Sequence, residues 1–181
     1  MKRYMLPILL VLFVVFLTLN AVLAVAQQGD KPFGGEKDVA FAQSMWSAMG
    51  DYTEWPMHSG FYPGQSPHGS VLRMYYNVVN VDGTPYHVIV KDNYGGENAT
   101  VENVSQSPQD YLAAVTIMVQ MKPGYDEANN NWFYAKYMKD GSLDKNAQGM
   151  ALAGRVAKGM NAGCIACHKK AKDNDFLFSN D

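Results

Sequence analysis

Between residues 71 and 137 the chain lays down short runs of β-branched and aromatic residues separated by turn formers. The runs cover residues 71–79 (VLRMYYNVV), 86–91 (YHVIVK), 111–121 (YLAAVTIMVQM) and 132–137 (WFYAKY), compositions that suit a pleated, packed surface. Asp82-Gly83, Gly95-Gly96, Lys122-Pro123-Gly124, Asn129-Asn130-Asn131 and Asp140-Gly141 punctuate them, each a dipeptide or cluster that supplies the turn geometry between strands. Short strands joined by tight turns predict a mainly antiparallel sheet. Within residues 86–91, His87, Ile89 and Lys91 share one face and Tyr86, Val88 and Val90 the other. Both faces carry apolar residues.

Helical periodicity flanks these strands. Phe41, Ala42, Met45, Trp46 and Met49 recur at helical spacing, with Asp38 placed to cap the segment and Gly50 to stop it. The Ala-rich residues 148–158 predict a second helix, leading through Gly159 into the segment that holds both cysteines. Residues 27–36 read as a flexible leader and residues 51–69 as a long surface connection. The fold class is therefore α+β, a mainly antiparallel β-sheet with flanking helices.

The 181 residues suit one domain once a targeting segment is removed. Lys2 and Arg3, the apolar residues 6–19 and Ala24-Val25-Ala26 together read as a secretory signal peptide spanning residues 1–26. An uncleaved anchor is the alternative, since the run approaches the roughly 20 residues that span a bilayer. Either way the folded domain, residues 37–181, is expected outside the cytoplasm, in the periplasm. Lys and Arg number 15 against 17 Asp and Glu, and the net charge of -2 argues against nucleic acid or an anionic membrane surface as partner. The 11 Tyr, 8 Phe, 3 Trp and 11 Met would suit a large flat ligand, although such residues also simply fill cores.

The only two cysteines lie in Cys164-Ile165-Ala166-Cys167-His168. Two intervening residues let both sulfurs reach the vinyl groups of one haem, and the next residue sits where an imidazole nitrogen meets the iron. A thioredoxin-like pair would need the cysteines at a helix start after the first strand of a βαβ unit. Zinc would need further ligands, whereas His58, His68 and His87 are scattered singly. A disulfide across two residues is strained. The motif therefore predicts one covalently bound haem c on a C-terminal attachment helix, with Cys164, Cys167 and His168 as cofactor-binding residues and His168 as the iron ligand. Residues 169–181 hold no Met or His, so any second axial ligand comes from upstream.

"PHGSVLRMYYN" (67–77), "YHVIVKDNYG" (86–95), "NNWFYAKY" (130–137) and "CIACHKKAKDNDFLF" (164–178) resemble the cytochrome P-460 family, which includes the cytochrome c′-beta proteins. The resemblance implies a five-coordinate haem iron, oxidation of hydroxylamine and/or nitric oxide, and a covalent bond from a strand lysine to a porphyrin meso carbon. Lys91 matches that lysine, which makes it the catalytic residue and a fourth cofactor-binding residue; on pattern alone it is a strand-end lysine reaching solvent. Oxidising members also resemble one another in a distal carboxylate that accepts substrate protons, from the segment before the haem motif, yet residues 145–163 hold no Asp or Glu. Glu97 and Glu102 substitute only if their loop folds over the haem; otherwise they are surface charges. The alternatives are a non-enzymatic gas-binding protein of the c′-beta type and a simple electron carrier with a distal Met. His68 and His87 read as hydrogen-bonded or exposed imidazoles, and Phe61 and Tyr62 as guesses for the distal roof. Expected partners are a small nitrogenous substrate or gas and a soluble electron-acceptor cytochrome, with homodimer formation left open.

Overall fold

The computed structural model describes residues 32–171 and 175–178; the expected signal peptide and residues 27–31 lie outside them. Helix α1 (Glu36–Met49) opens the described chain. Two short strands, β1 (Met57–His58) and β2 (Tyr62–Pro63), precede the long hairpin of β3 (Val71–Val81) and β4 (Thr84–Tyr94). Short helices α2 (Val101–Gln106) and α3 (Pro108–Tyr111) lead to β5 (Leu112–Gln120), then come β6 (Trp132–Met138), β7 (Ala153–Gly154) and α4 (Cys164–His168). The sheet has 7 strands in the order β1-β3-β4-β5-β6-β7, with β2 also on β3, and every pairing is antiparallel. The α+β class with a mainly antiparallel sheet is thus observed, and the attachment motif forms a helix as expected.

Each face of the sheet is covered. On one, Tyr75, Val88, Val90, Val115, Val119, Phe133 and Tyr137 pack against Ala42, Met45 and Met49 of α1, with Tyr52 and Trp55. On the other, Met118, Trp132 and Tyr134 pack against Phe33, Val156, Ala157 and Ile165. Double coverage explains why the strands read as near-continuous apolar runs.

Three local expectations change. Asp38 is not the cap: Gly35 is, and Asp38, two residues inside α1, turns its carboxyl back to the N–H groups of Gly35 and Gly34. The helix starts early because the chain before it is pinned, with Phe33 buried and Gly34 N–H donating to Ala153 O at 2.8 Å. The far end of the expected leader is therefore part of the packed domain. Residues 148–158 form no helix; their backbone serves the edge of β6 instead, with Lys136 N–H on Leu152 O at 2.9 Å and Leu152 N–H on Asp144 O at 2.8 Å. Gly154 at φ 97° and Ala157 at φ 63° break any helical path, so tertiary pairing overrides alanine's propensity.

Candidate functional site

Antiparallel register carries the cavity-facing side chains into two cross-strand rows. Met74 of β3, Lys91 of β4 and Thr116 of β5 are direct partners, and so are Tyr76, Ile89, Met118 and Tyr134 one rung on. All seven line a cavity of about 240 Å³. The opposite wall comes from Cys164, His168, Asp175, Leu177 and Phe178, and His68 closes one end. The sheet supplies a fixed wall and the segment around α4 the cover.

His168 is buried, its ring between Tyr134, 5.3 Å away centroid to centroid, and Phe178, 5.5 Å away. Its Nδ1 lies 2.6 Å from Phe176 O. A carbonyl only accepts, so Nδ1 carries the proton and Nε2 keeps a free lone pair. Burial, outweighing the Phe176 hydrogen bond, pushes the pKa down to about 4, so the ring is neutral at pH 7. A neutral imidazole with its far nitrogen tied to a carbonyl is the form that ligates a metal.

Both cysteines are free thiols. Burial pushes the Cys164 thiol up to about 11, whereas a thioredoxin-type nucleophile needs a depressed pKa. No cluster of His, Cys, Asp and Glu among the described residues could hold a zinc ion. Gly163, ahead of the helix, has φ 118°, and a Cβ there would stand 2.3 Å from Ala157 Cβ, so a glycine sets the close approach of α4 to the preceding loop.

Lys91 does not reach solvent. It is 9% exposed, its Nζ lies 3.4 Å from Phe178 O, and burial pushes its pKa down to about 8. The bulk and apolar walls of the β3–β5 strands hold it there, and no carboxylate pairs with it among the described residues. A buried amine without a counter-ion is costly unless it is neutral or chemically committed.

His68 approaches His168, ring centroids 6.1 Å apart. Asn93 gives its amide N–H groups to Lys91 O at 2.7 Å and Ala114 O at 3.2 Å, which leaves Oδ1 to face His68 Nδ1 at 2.8 Å. His68 Nδ1 is thus the donor and Nε2 the free acceptor. The Tyr134 hydroxyl is buried with no hydrogen-bond partner among the described residues, a deficit that a polar group within the cavity would relieve.

A neutral ligand imidazole, two free thiols on one short helix, an orphan hydroxyl and apolar walls fit a haem held by residues 164–168. The family model described as Cytochrome P460 matches residues 50–179. This chain belongs to the cytochrome P460 family. Neither a curated protein nor a solved structure matches it. As a member of the cytochrome P460 family it is a haem protein, and the cavity between β3–β6 and α4 is where its residues can hold that group.

Of the residues singled out from sequence, Lys91, Cys164 and His168 meet in this cavity, while Cys167 of the same helix is exposed. Glu97 and Glu102 are exposed and His87 lies on the surface. Phe61 packs against Tyr94 and Tyr62 against Leu72 and Met74, and neither lines the cavity. Sequence reasoning missed Thr116, Met118, Tyr134, Met74 and Tyr76. Strand alternation alone marks residues on the face of Lys91, but only the register shows which of them are its cross-strand neighbours.

Proposed function

We propose that this cytochrome P460 protein carries a single haem c, attached by thioether bonds from Cys164 and Cys167 with His168 Nε2 on the iron. In this reading Lys91 is a third covalent attachment, and the protein is an exported oxidoreductase that oxidises hydroxylamine or nitric oxide. The observation that carries it is the convergence of Lys91, Cys164 and His168 on one cavity. The bound haem supplies a redox-active iron that takes electrons from a small nitrogen compound and passes them to an acceptor. The chain's own part is to hold and isolate it: Phe176 O fixes the His168 tautomer, and Ile89, Met118 and Leu177 exclude water. Lys91 offers an amine whose neutral form is accessible near neutral pH. Joining that amine to a meso carbon removes one hydrogen from each partner, so two electrons and two protons pass to an oxidant such as peroxide. Residues 1–26, read as a signal peptide, support export.

A second reading, gas binding without turnover, is favoured by one observation. Among the described residues Asp175 is the sole carboxylate lining the cavity, and its Oδ1 already accepts the Leu177 N–H at 2.8 Å. A positioned base typically contributes 10²- to 10⁴-fold to a proton-releasing step.

The test is the optical spectrum and intact mass of protein matured in a host able to assemble c-type cytochromes. The expected product is the chain plus one haem that resists acid-acetone extraction, with a broad, red-shifted ferrous Soret band. Lys91→Ala is expected to keep the mass increment and normalise the band. Hydroxylamine consumed with reduction of an acceptor supports the enzyme; nitric oxide bound without turnover supports the second reading. A sharp low-spin spectrum, with Met74 or Met118 as ligand, would replace both by an electron carrier.

A further inference from the structure

The protein carries a net charge of -2, but its charges are unevenly spread along the chain. Lys145, Arg155, Lys158, Lys169, Lys170 and Lys172 fall in residues 145–172, which hold no Asp or Glu. Lys145, Arg155, Lys158, Lys169 and Lys170 are exposed. Lys158 is partly neutralised by Asp126 at 2.6 Å, whereas Lys169 and Lys170, directly after α4, have no ion pair among the described residues. Asp175 is the one exposed carboxylate in the described chain beyond residue 144.

Residues 156–163 of this stretch lie beside the cover of the cavity. Ile165 N–H donates to Val156 O at 3.3 Å and Met160 N–H to Ala157 O at 3.1 Å, which folds residues 156–163 back beside α4. The tip of that loop exposes Met160, 54% accessible, next to the run 161–163, and α4 exposes Cys167. Phe178, which lines the cavity, is itself 47% exposed. Exposed apolar side chains and exposed lysines thus both lie on the segment that carries His168 and both cysteines.

We propose that this surface, centred on Met160 and Cys167 and rimmed by Lys169 and Lys170, docks an acidic redox protein that exchanges electrons with the cavity. The inference rests on the proposed function, since only a redox-active group behind α4 gives such a partner a purpose. Opposite charge would steer the partner to the face behind which Cys164 and His168 line the cavity, while the acidic remainder of the molecule would disfavour other orientations. The apolar centre would be desolvated on contact and the lysine rim would stay wet.

The charge argument fixes a sign. With the haem-loaded full chain, two oxidants of similar size are compared: an acidic blue-copper protein and a basic cytochrome c. The acidic protein is expected to react about tenfold faster or more at low salt. Its advantage is expected to shrink as the Debye length falls from about 30 Å at 0.01 M to about 8 Å at 0.15 M. Net charge alone predicts the reverse order. Lys169→Glu with Lys170→Glu is expected to abolish the preference. Met160→Glu, at an already exposed site away from the motif, gives a second route to the same loss should the double variant load haem poorly. Docking is also read without electron transfer, from amide shifts of labelled protein on adding the acidic partner, which are expected on residues 155–170. A missing Soret band or absent turnover counts against the haem or enzyme reading, whereas shifts confined to another face, or a faster basic partner, would overturn the docking surface.

Discussion

Lys91 and Asp92 are neighbours on β4 whose side chains leave the sheet in opposite directions, one into the cavity and the other into the core under α1. Asp92 is 2% exposed and accepts hydrogen bonds from Tyr52 at 2.7 Å, Tyr94 at 2.8 Å and Tyr75 at 3.4 Å. Burial raises its pKa and outweighs the three phenols, which lower it. A carboxyl whose folded pKa is raised contributes stability at low pH that is lost as pH rises through that pKa. Tyr94→Phe removes one of three donors to the carboxylate, so it is expected to cost about 1.5–3 kcal/mol where Asp92 is ionised and less where the carboxyl is protonated. Denaturant unfolding at pH 4 and pH 7 checks both the size and the sign. For Lys91 the sign is opposite in kind: only the neutral amine can form the proposed bond. With a pKa near 8, the rate of spectral maturation under limiting peroxide is expected to rise about tenfold from pH 7 to pH 9 and then level off. A rate independent of pH would remove the free amine from the process.

The long strands were legible because hydrophobic run length and turn chemistry agree. The expected residues 71–79, 86–91, 111–121 and 132–137 fall within a residue or three of the observed bounds of β3, β5 and β6, and inside β4. The short helix of residues 164–168 was legible through the spacing of its Cys-x-x-Cys-His motif, which needs no propensity. What failed was residues 148–158, where composition favours helix but the backbone pairs with β6. Long-range pairing of this kind leaves no local trace in a single sequence. The same holds for His68, whose place beside His168 depends on Asn93, a residue 25 positions away. At this scale the decisive joint is the turn before α4. Gly163→Ala would force a left-handed φ on alanine and drive its Cβ into Ala157, a strain of about 1–3 kcal/mol. The expected result is a lower yield of covalently loaded protein and a lower melting temperature; normal loading would show that the loop yields.

For the whole molecule, the sheet divides two interiors with separate duties, a dry aromatic core against α1 and a cavity against residues 155–178. Phe33 ties the start of the described chain into the second of these, 2% exposed among Trp132, Tyr134 and Ile165. Phe33→Ala is expected to cost about 3–5 kcal/mol and to disturb the haem surroundings along with stability, measurable by thermal melting followed at the Soret band. Tyr52→Ala, on the far side of the sheet, is expected to lower the melting temperature while leaving the native Soret position unchanged. The order of the strands adds a last point. From β3 to β7 each new strand lies beside the one made just before it, and such local hairpins close quickly. The slab bearing Lys91, Thr116, Met118 and Tyr134 can therefore be finished as the exported chain emerges, before the paired sulfurs follow. The apparatus that ligates the macrocycle would then meet an open half-mould, and shutting it would be the closing act of biogenesis.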